Sequence, residues 1–360
     1  MVTKTSTEEI RALLNPAGVS LEALLKARAI PNQRLASALG ITSTFVSSDP
    51  HVHDNFTRTA KSLISAVNPK EDWDGWFELM KTMEACIDHC LPQQHSADYA
   101  TFMQTVTFST IVVGLLGADI TAIDPHDVAF VTRSINERWT LSKTNPSLPP
   151  GLLEEINKHI FRWVPDRDKF PVPLNYIIPA YETMWRVVGI AMVYAQREEV
   201  IRQAFLDFGD NPTVPQFEAF KLKPGPSVEA VIREVLRLHP PTKHISRIVE
   251  VPACPFAKVV AEVADIETVQ RTQTYGEDAG EFNPMRYHPN AMELGGDRPF
   301  FAFGYGKLKC VAASWAPMAA GLLVAKIFER IDDITFGLTE GPAIGGREGW
   351  EGWSIDRKDL

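Results

Sequence analysis

The sequence predicts a mainly α-helical protein with small β-sheets (α+β). Apolar residues recur at helical spacing over long stretches, and residues 174–208 form the longest of these patterns. Shorter helical patterns cover residues 73–90, 99–117 and 125–141. The β-prone pieces, about residues 245–251 and 259–263, are brief and lie late in the chain. Helices are therefore expected to form the framework. Residues 334–360 are expected to form a final hairpin or an irregular β tail, in which Trp350 and Trp353 are packing anchors; the alternative role for them is stacking on a substrate.

Composition narrows the class of protein. The chain has 360 residues, which is ample for a sizeable core, and 45% of them are hydrophobic. Its net charge is −9 and it contains no basic run of five or more residues, so nucleic acid is not the expected partner. The apolar runs at 111–118 and 316–325 are too short to span a bilayer, so no membrane span is expected.

Cysteine usage indicates a reducing compartment. The four cysteines (Cys86, Cys90, Cys254 and Cys310) are too sparse for a disulfide scaffold, so we expect a cytoplasmic protein. Cys86, His89 and Cys90 fall near one another on the predicted helix 73–90. They lack a fourth ligand at suitable spacing, so ordinary helix packing is favoured over a metal site.

Cys310 lies in the stretch that organises the prediction. Gly304 and Gly306 precede it and permit a tight turn, and an alanine-rich run predicts a helix over 312–330. A helix N-terminus favours a thiolate, which is a nucleophile or a metal ligand. A lone thiolate without nearby histidines is how one class of haem iron is held. The alternative is a buried free cysteine after a glycine turn.

The longest helical pattern contains an unusual polar pair. Pro179 removes the hydrogen bond to the carbonyl of Asn175 and predicts a kink. Glu182 and Thr183 follow within one turn. An acid and an alcohol beside a kink suggest a functional site. The alternative is a threonine bonded to a helix carbonyl and a glutamate at the surface.

A shorter helix, predicted over 227–239 with Ser227 as N-cap, contains Glu234 and Arg237 three residues apart. An exposed pair at this spacing contributes less than about 1 kcal/mol.

These stretches together resemble the cytochromes P450, and a fungal branch of that family in particular. Phe303, Gly304, Gly306, Cys310 and Ala312 are similar to the cysteine-ligand loop. Ala180, Glu182 and Thr183 are similar to the oxygen-binding helix, with Tyr181 where the family prefers glycine and Met184 where a second alcohol is common. Glu234 and Arg237, with Arg286 in the Phe282–Arg286 segment, are similar to the family's three-residue structural lock.

The resemblance implies a P450-like helical fold with haem between the long central helix and the cysteine-loop helix. Residues 49–360 would form the haem domain, together with a trimmed N-terminal helical segment, 1–48. Cys310 would be the axial ligand of haem b iron, and Glu182 and Thr183 would deliver protons to dioxygen. The propionates would be held by Arg247, His53 and Arg58.

The sequence also departs from the family pattern. Leu308 stands where the family usually has His or Arg for a haem propionate, and leucine cannot donate that hydrogen bond. Lys309 could compensate. Pro317 is expected to kink or restart the helix after the cysteine. Residues 152–173 leave little room for lid helices, so we expect an open pocket or one closed by a partner chain.

Three functions remain open on this basis. The first is a monooxygenase that oxidises an apolar small molecule in secondary metabolism, with NADPH electrons arriving through a separate redox partner. The second is a P450-fold enzyme that catalyses a non-oxidative rearrangement, dehydration or cyclisation. The third is a haem-poor P450-like binding protein, which Leu308 motivates.

Overall fold

The structure is a computed structural model. It describes residues 2–92, 96–145, 147–220, 225–251, 258–292, 298–331 and 335–358. Cys254 lies outside the described residues. No helix within the described part of the chain has the length and apolar content needed to cross a membrane.

The helices dominate, as predicted. They are α1 (Thr7–Leu14), α2 (Leu21–Leu39), α3 (Pro50–Ser65), α4 (Trp73–Cys90), α5 (Tyr99–Gly114), α6 (Pro125–Leu141), α7 (Gly151–Trp163), α8 (Leu174–Arg197), α9 (Glu199–Asp210), α10 (Val214–Glu218), α11 (Val228–Leu238), α12 (Ile266–Val269), α13 (Pro289–Met292) and α14 (Ala316–Arg330).

Most of these helices begin where a short polar side chain can satisfy an unpaired backbone amide. Ser20, Asp72 and Ser227 each accept a hydrogen bond from the amide three residues on. Asp49 and Asp124 cap helices whose first residue is proline, which lacks the N–H that would otherwise be unsatisfied.

Among the described residues, six strands form two small sheets. They are β1 (Val2–Lys4), β2 (Ser96–Asp98), β3 (His244–Val251), β4 (Lys258–Asp265), β5 (Phe336–Thr339) and β6 (Ser354–Arg357). In the first sheet β4 is central, parallel to β1 and antiparallel to β3. In the second, β6 pairs antiparallel with both β2 and β5, which confirms the predicted final hairpin. Trp350 and Trp353 are buried against Tyr99, with ring centroids 5.1 and 5.6 Å from its ring.

The core is built around α5, α8 and α14. These helices are apolar on nearly every side, which is the pattern of a helix surrounded by protein. Tyr99, at the start of α5, donates a 2.6 Å hydrogen bond to the carbonyl of Gly189 in α8 and satisfies its own buried hydroxyl. This hydrogen bond joins α5 to the long central helix.

Three boundaries differ from the sequence prediction. The pattern over 174–208 is divided at Glu198, whose extended backbone separates α8 from α9. Residues 49–53 read in sequence as a loop before a helix over about 55–67, whereas the structure is helical from Pro50, so His53 lies on α3. The helix after the cysteine begins at Ala316, not at residue 312, because Pro317 is accommodated in a first turn and not in a helix interior.

Candidate functional site

The cysteine loop is a tight turn set by its two glycines. Gly304 and Gly306 have φ values of +73° and +70°, a region that favours glycine. The Cys310 amide donates to the Phe303 carbonyl over 2.9 Å and closes the loop. A Cβ at Gly306 would lie 2.3 Å from the Asn15 side chain, so glycine is required there sterically as well.

The Cys310 thiol is accessible, although protein surrounds much of it. The residue is exposed to solvent, while burial by neighbouring groups raises the pKa of the thiol. The Ala312 amide donates to the sulfur, and this bond and the charge of Lys309 partly offset that rise. The expectation that a helix N-terminus favours the thiolate was wrong, because α14 begins six residues downstream and the helix dipole acts only over the first turn.

Glu234, Arg237 and Arg286 meet in a buried cluster. Arg237 makes two 2.7 Å hydrogen bonds to the two carboxylate oxygens of Glu234, and Arg286 Nε lies 2.8 Å from Oε1. Arg237 also donates to the carbonyls of Gln270 and Ala279. The remaining donors of Arg237 are therefore satisfied by the chain that leads to the cysteine loop.

The acid–alcohol pair of α8 has two different environments. Thr183 Oγ1 donates to the Pro179 carbonyl over 3.1 Å, the local bond considered from the sequence. Glu182 is not at the surface, because it is only 3% exposed. Its Oε2 lies 2.7 Å from Arg347 Nη2 and 3.9 Å from Arg186 Nη2.

Arg347 was not identified from the sequence. It lies in the glycine-rich segment before Trp350 and is fixed by Asn136 Oδ1 at 3.1 Å and by the Trp139 ring, 4.3 Å from its centroid. A long-range contact between this tail and α8 leaves no local sequence signal. The position of Arg347 directly after Gly345 and Gly346 was the one sequence feature that could have drawn attention to it.

Two buried arginines lie close together near α3. Arg247 on β3 is 7% exposed, and its Nε has no hydrogen-bond partner among the described residues. Arg28 on α2 is 8% exposed and donates to the Thr44 carbonyl over 2.6 Å. Burial, and then the charge of Arg247, lowers the pKa of Arg28 to about 10, and burial lowers that of Arg247 to about 10.

His53 belongs to the same cluster. Its Nδ1 lies 2.8 Å from Thr44 Oγ1, which Arg28 also contacts, and burial followed by the charge of Arg28 lowers the pKa of His53. No described residue forms a carboxylate ion pair with Arg28 or Arg247. Because buried charges are normally paired, this cluster is suited to an anionic group. Arg28 was missed because its sequence context carries no motif.

The other predicted residues are less closely associated with this cluster. Arg58 is exposed, and its described hydrogen bond is to Asn55 on its own helix, so the structure does not bring it to Arg247. Leu308 ends a 3-10 turn, and Lys309 is exposed. Phe303, Ala180 and Ala312 are half-buried.

Cys86 and Cys90 pack as inert thiols. Burial raises the pKa of each to about 12. Within the described ranges, no group of three or more metal-ligating side chains is placed to hold a metal ion, and His89 contacts the Ile123 carbonyl instead.

Comparisons with known proteins agree with this geometry. The model of the family described as Cytochrome P450 matches residues 214–332. Secologanin synthase 2 of Catharanthus roseus is 31% identical over 140 residues, which are 37% of this chain and 25% of that protein. Sterol 14-alpha demethylase CYP51A of Gibberella zeae is 23% identical over 165 residues, 40% of this chain and 32% of that protein. The chain thus spans a quarter to a third of the length of these relatives.

Solved structures show the same fold over most of the chain. The haem domain of cytochrome P450DA matches with a TM-score of 0.63 at 13% identity, covering 91% of this chain and 79% of that one. CYP154A1 of Streptomyces coelicolor matches with a TM-score of 0.58 at 17% identity, covering 99% and 91%. The chain therefore has the fold of the cytochromes P450, and residues 214–332, which include the buried lock and the cysteine loop, are similar in sequence to that family.

The cofactor of this superfamily is haem b, with electrons supplied by a reductase. The residues present fit haem b at its iron and at its propionates. Cys310 offers an accessible sulfur in a closed loop, and Arg28, Arg247 and His53 offer buried donors without a carboxylate partner. The anionic propionates are the groups that such donors would hold, and Arg28 provides a donor that Leu308 cannot.

Proposed function

We propose that the chain is a P450-type monooxygenase that oxidises a small, largely apolar molecule. The observation that carries the proposal is the Cys310 loop, which is closed by the bond from Cys310 N–H to the Phe303 carbonyl and leaves Cys310 an exposed residue. A haem-thiolate supplies dioxygen activation when bound, because the thiolate favours O–O cleavage. The roles of the chain's own residues follow from their contacts.

In this proposal Thr183 is the proton-delivering alcohol. Its hydroxyl is both donor and acceptor, and at rest it donates to the Pro179 carbonyl one turn earlier in α8. Glu182 would act next to it as an acceptor whose orientation Arg347 and Arg186 fix. Proton delivery through a water between these two side chains is general acid catalysis.

The buried lock of Glu234, Arg237 and Arg286 would have a structural role. Their burial and mutual hydrogen bonds suit a rigid support for the chain before the cysteine loop. Arg28, Arg247 and His53 would hold the propionates, and Arg58 would contribute little.

The finer physiological role is also proposed. A tailoring step in secondary metabolism fits the similarity to secologanin synthase 2, and electrons would come from NADPH through a separate redox partner. A cytoplasmic location fits the sparse cysteines.

A second candidate, a non-oxidative rearrangement, dehydration or cyclisation on the same fold, is favoured by one observation. The Glu182 carboxylate is held by two arginines, and an ion-paired carboxylate is a poor proton donor. Such a reaction would need no external electrons.

Turnover with and without an electron source separates the two. We expect candidate apolar substrates to be oxidised only when a reductase and NADPH are both present, and Cys310→Ser to abolish the reaction. Product formed at the same rate without reductase, NADPH or peroxide would overturn the monooxygenase in favour of the non-oxidative enzyme.

A further inference from the structure

A cleft of about 410 Å³ lies between α2 and the segment that follows α6. Its lining includes two cations, Arg34 and Lys143, and the hydroxyls of Ser37, Ser142 and Thr144. Its volume lies within the range of small-molecule sites. None of these residues is part of the haem or proton-delivery sites described above.

Arg34 is held in one orientation at this cleft. Its Nη1 donates to Ser142 Oγ over 2.7 Å, and Ser142 in turn donates to the Trp139 carbonyl over 2.7 Å. The guanidinium lies 4.9 Å from the Trp139 ring centroid. Its other N–H groups have no acceptor in the part of the chain that the structure describes, so an oriented donor fork remains available to a ligand.

The cleft carries excess positive charge in a protein whose net charge is −9. Neither Arg34 nor Lys143 forms an ion pair with a carboxylate of a described residue. Arg347 lies on the same Trp139 ring, and burial followed by the charge of Arg347 lowers the pKa of Arg34. An anion bound here would relieve this repulsion between guanidiniums.

A carboxylate matches this lining. A planar guanidinium pairs with two carboxylate oxygens in a fork, and the lysine and hydroxyls supply further donors at the rim. A series of side-chain contacts leads from the cleft to the candidate active site, since Arg34 and Arg347 both lie on the Trp139 ring and Arg347 holds Glu182. Its other wall, α2, carries Arg28 of the propionate cluster.

We propose that this cleft binds the carboxylate of an acidic substrate of the proposed enzyme. The proposal rests on the proposed function and names its substrate class: an apolar molecule with one terminal carboxylate. Arg34 is the principal contact, and Lys143 adds charge at the mouth.

Calorimetric titration of the haem-loaded protein tests this, with octanoate and octan-1-ol as probes of equal chain length. Octanoate should bind at least about tenfold more tightly than the alcohol, because hydrogen bonds to charged groups carry that difference. Arg34→Gln and Lys143→Gln should each weaken octanoate binding and leave the alcohol unchanged. Lys158→Gln, which removes an exposed lysine of α7, is the matched control and should change neither.

Lys143 is exposed, so its variant is expected to fold even if Arg34→Gln is destabilised. Equal affinity for octanoate and octanol, or full octanoate affinity in both variants, would overturn the proposal. Acetate or inorganic phosphate binding as tightly as octanoate would also overturn it, in favour of a small-anion site. Cys310→Ser should still bind octanoate. Octanoate binding by this variant therefore tests the cleft independently of the haem-thiolate chemistry.

Discussion

The carboxylate of Glu182 lies 2.7 Å from the guanidinium of Arg347, joining the central helix to the C-terminal tail across 165 residues of sequence. Both side chains are largely buried, at 4% and 12% exposure. The tail therefore fixes the orientation of the acid that precedes Thr183. It also means that the chemistry of α8 depends on a segment with no sequence motif.

This pair should behave as a buried ion pair. Arg347→Gln leaves a buried carboxylate with only Arg186 at 3.9 Å, and we expect the free energy of unfolding to fall by about 3 kcal/mol. Glu182→Gln combined with Arg347→Gln should cost less than the sum of the single changes. Urea denaturation of the four proteins measures the coupling.

Arg197 and Glu340 provide the control, because they too lie 2.7 Å apart but are 42% and 38% exposed. Removing that pair should cost about 1 kcal/mol or less. Additive effects at Glu182 and Arg347 would show that the contact does not contribute to stability.

Glu234 should be the most sensitive polar residue of the fold. Glu234→Ala leaves Arg237, fully buried, and Arg286, 5% exposed, without their shared carboxylate. We expect destabilisation of about 3–5 kcal/mol and poor recovery of folded protein. Thermal denaturation of Glu234→Ala is compared with that of Glu78→Ala, whose side chain is 67% exposed. Equal melting temperatures for the two variants would contradict the assigned role.

We expect Arg28 to slow the loss of haem from the protein. Removing one buried, charge-assisted donor to a propionate should speed haem loss by about tenfold. The rate of haem transfer to an excess of a haem-free acceptor protein measures this without an activity assay. Arg58→Gln is the matched control, since Arg58 is exposed and bonded to Asn55, and its haem loss should match that of the unchanged protein. Equal rates for Arg28→Gln and Arg58→Gln would remove Arg28 from the site.

His239 should make stability depend on pH. Burial, and then the charges of Arg271 and Lys243, lowers its pKa from 6.5 to about 4, and Tyr194 Oη lies 2.9 Å from its Nε2. Between these values the unfolded chain binds a proton that the folded protein does not. The free energy of unfolding should therefore fall as pH drops through this window, by about 2 kcal/mol from pH 7 to pH 5.

His239→Gln should remove that part of the pH dependence. Urea denaturation of both proteins at pH 7 and pH 5 gives the comparison. If the variant loses as much stability as the unchanged protein, other groups cause the effect.

Local patterns predicted much of the fold. The bounds of α4 and α6 follow from apolar spacing that begins after an aspartate N-cap, Asp72 or Asp124, and both signals are local properties of the sequence. The division at Glu198 was missed because the apolar spacing continues across it. The start of α14 was displaced because the turn after Cys310 is held by its own backbone bonds and by packing.

The residues of the candidate site likewise fall into those that a local motif predicts and those that only long-range contacts bring to the site. Glu234, Arg237 and Arg286 could be named in advance because their spacing is a recurring motif. Arg28 and Arg347 could not, because each acquires its environment from segments far away in sequence, β3 for Arg28 and α8 for Arg347. The raised pKa of Cys310 likewise follows from burial that no linear pattern reports.

The absorption spectrum of the purified, reduced protein exposed to carbon monoxide tests the central claim most directly, namely that Cys310 ligates haem iron. We predict the red-shifted Soret band typical of a thiolate-ligated haem, and its loss in Cys310→Ser. A band typical of a neutral axial ligand, a protein without haem, or the same spectrum in Cys310→Ser would contradict the account.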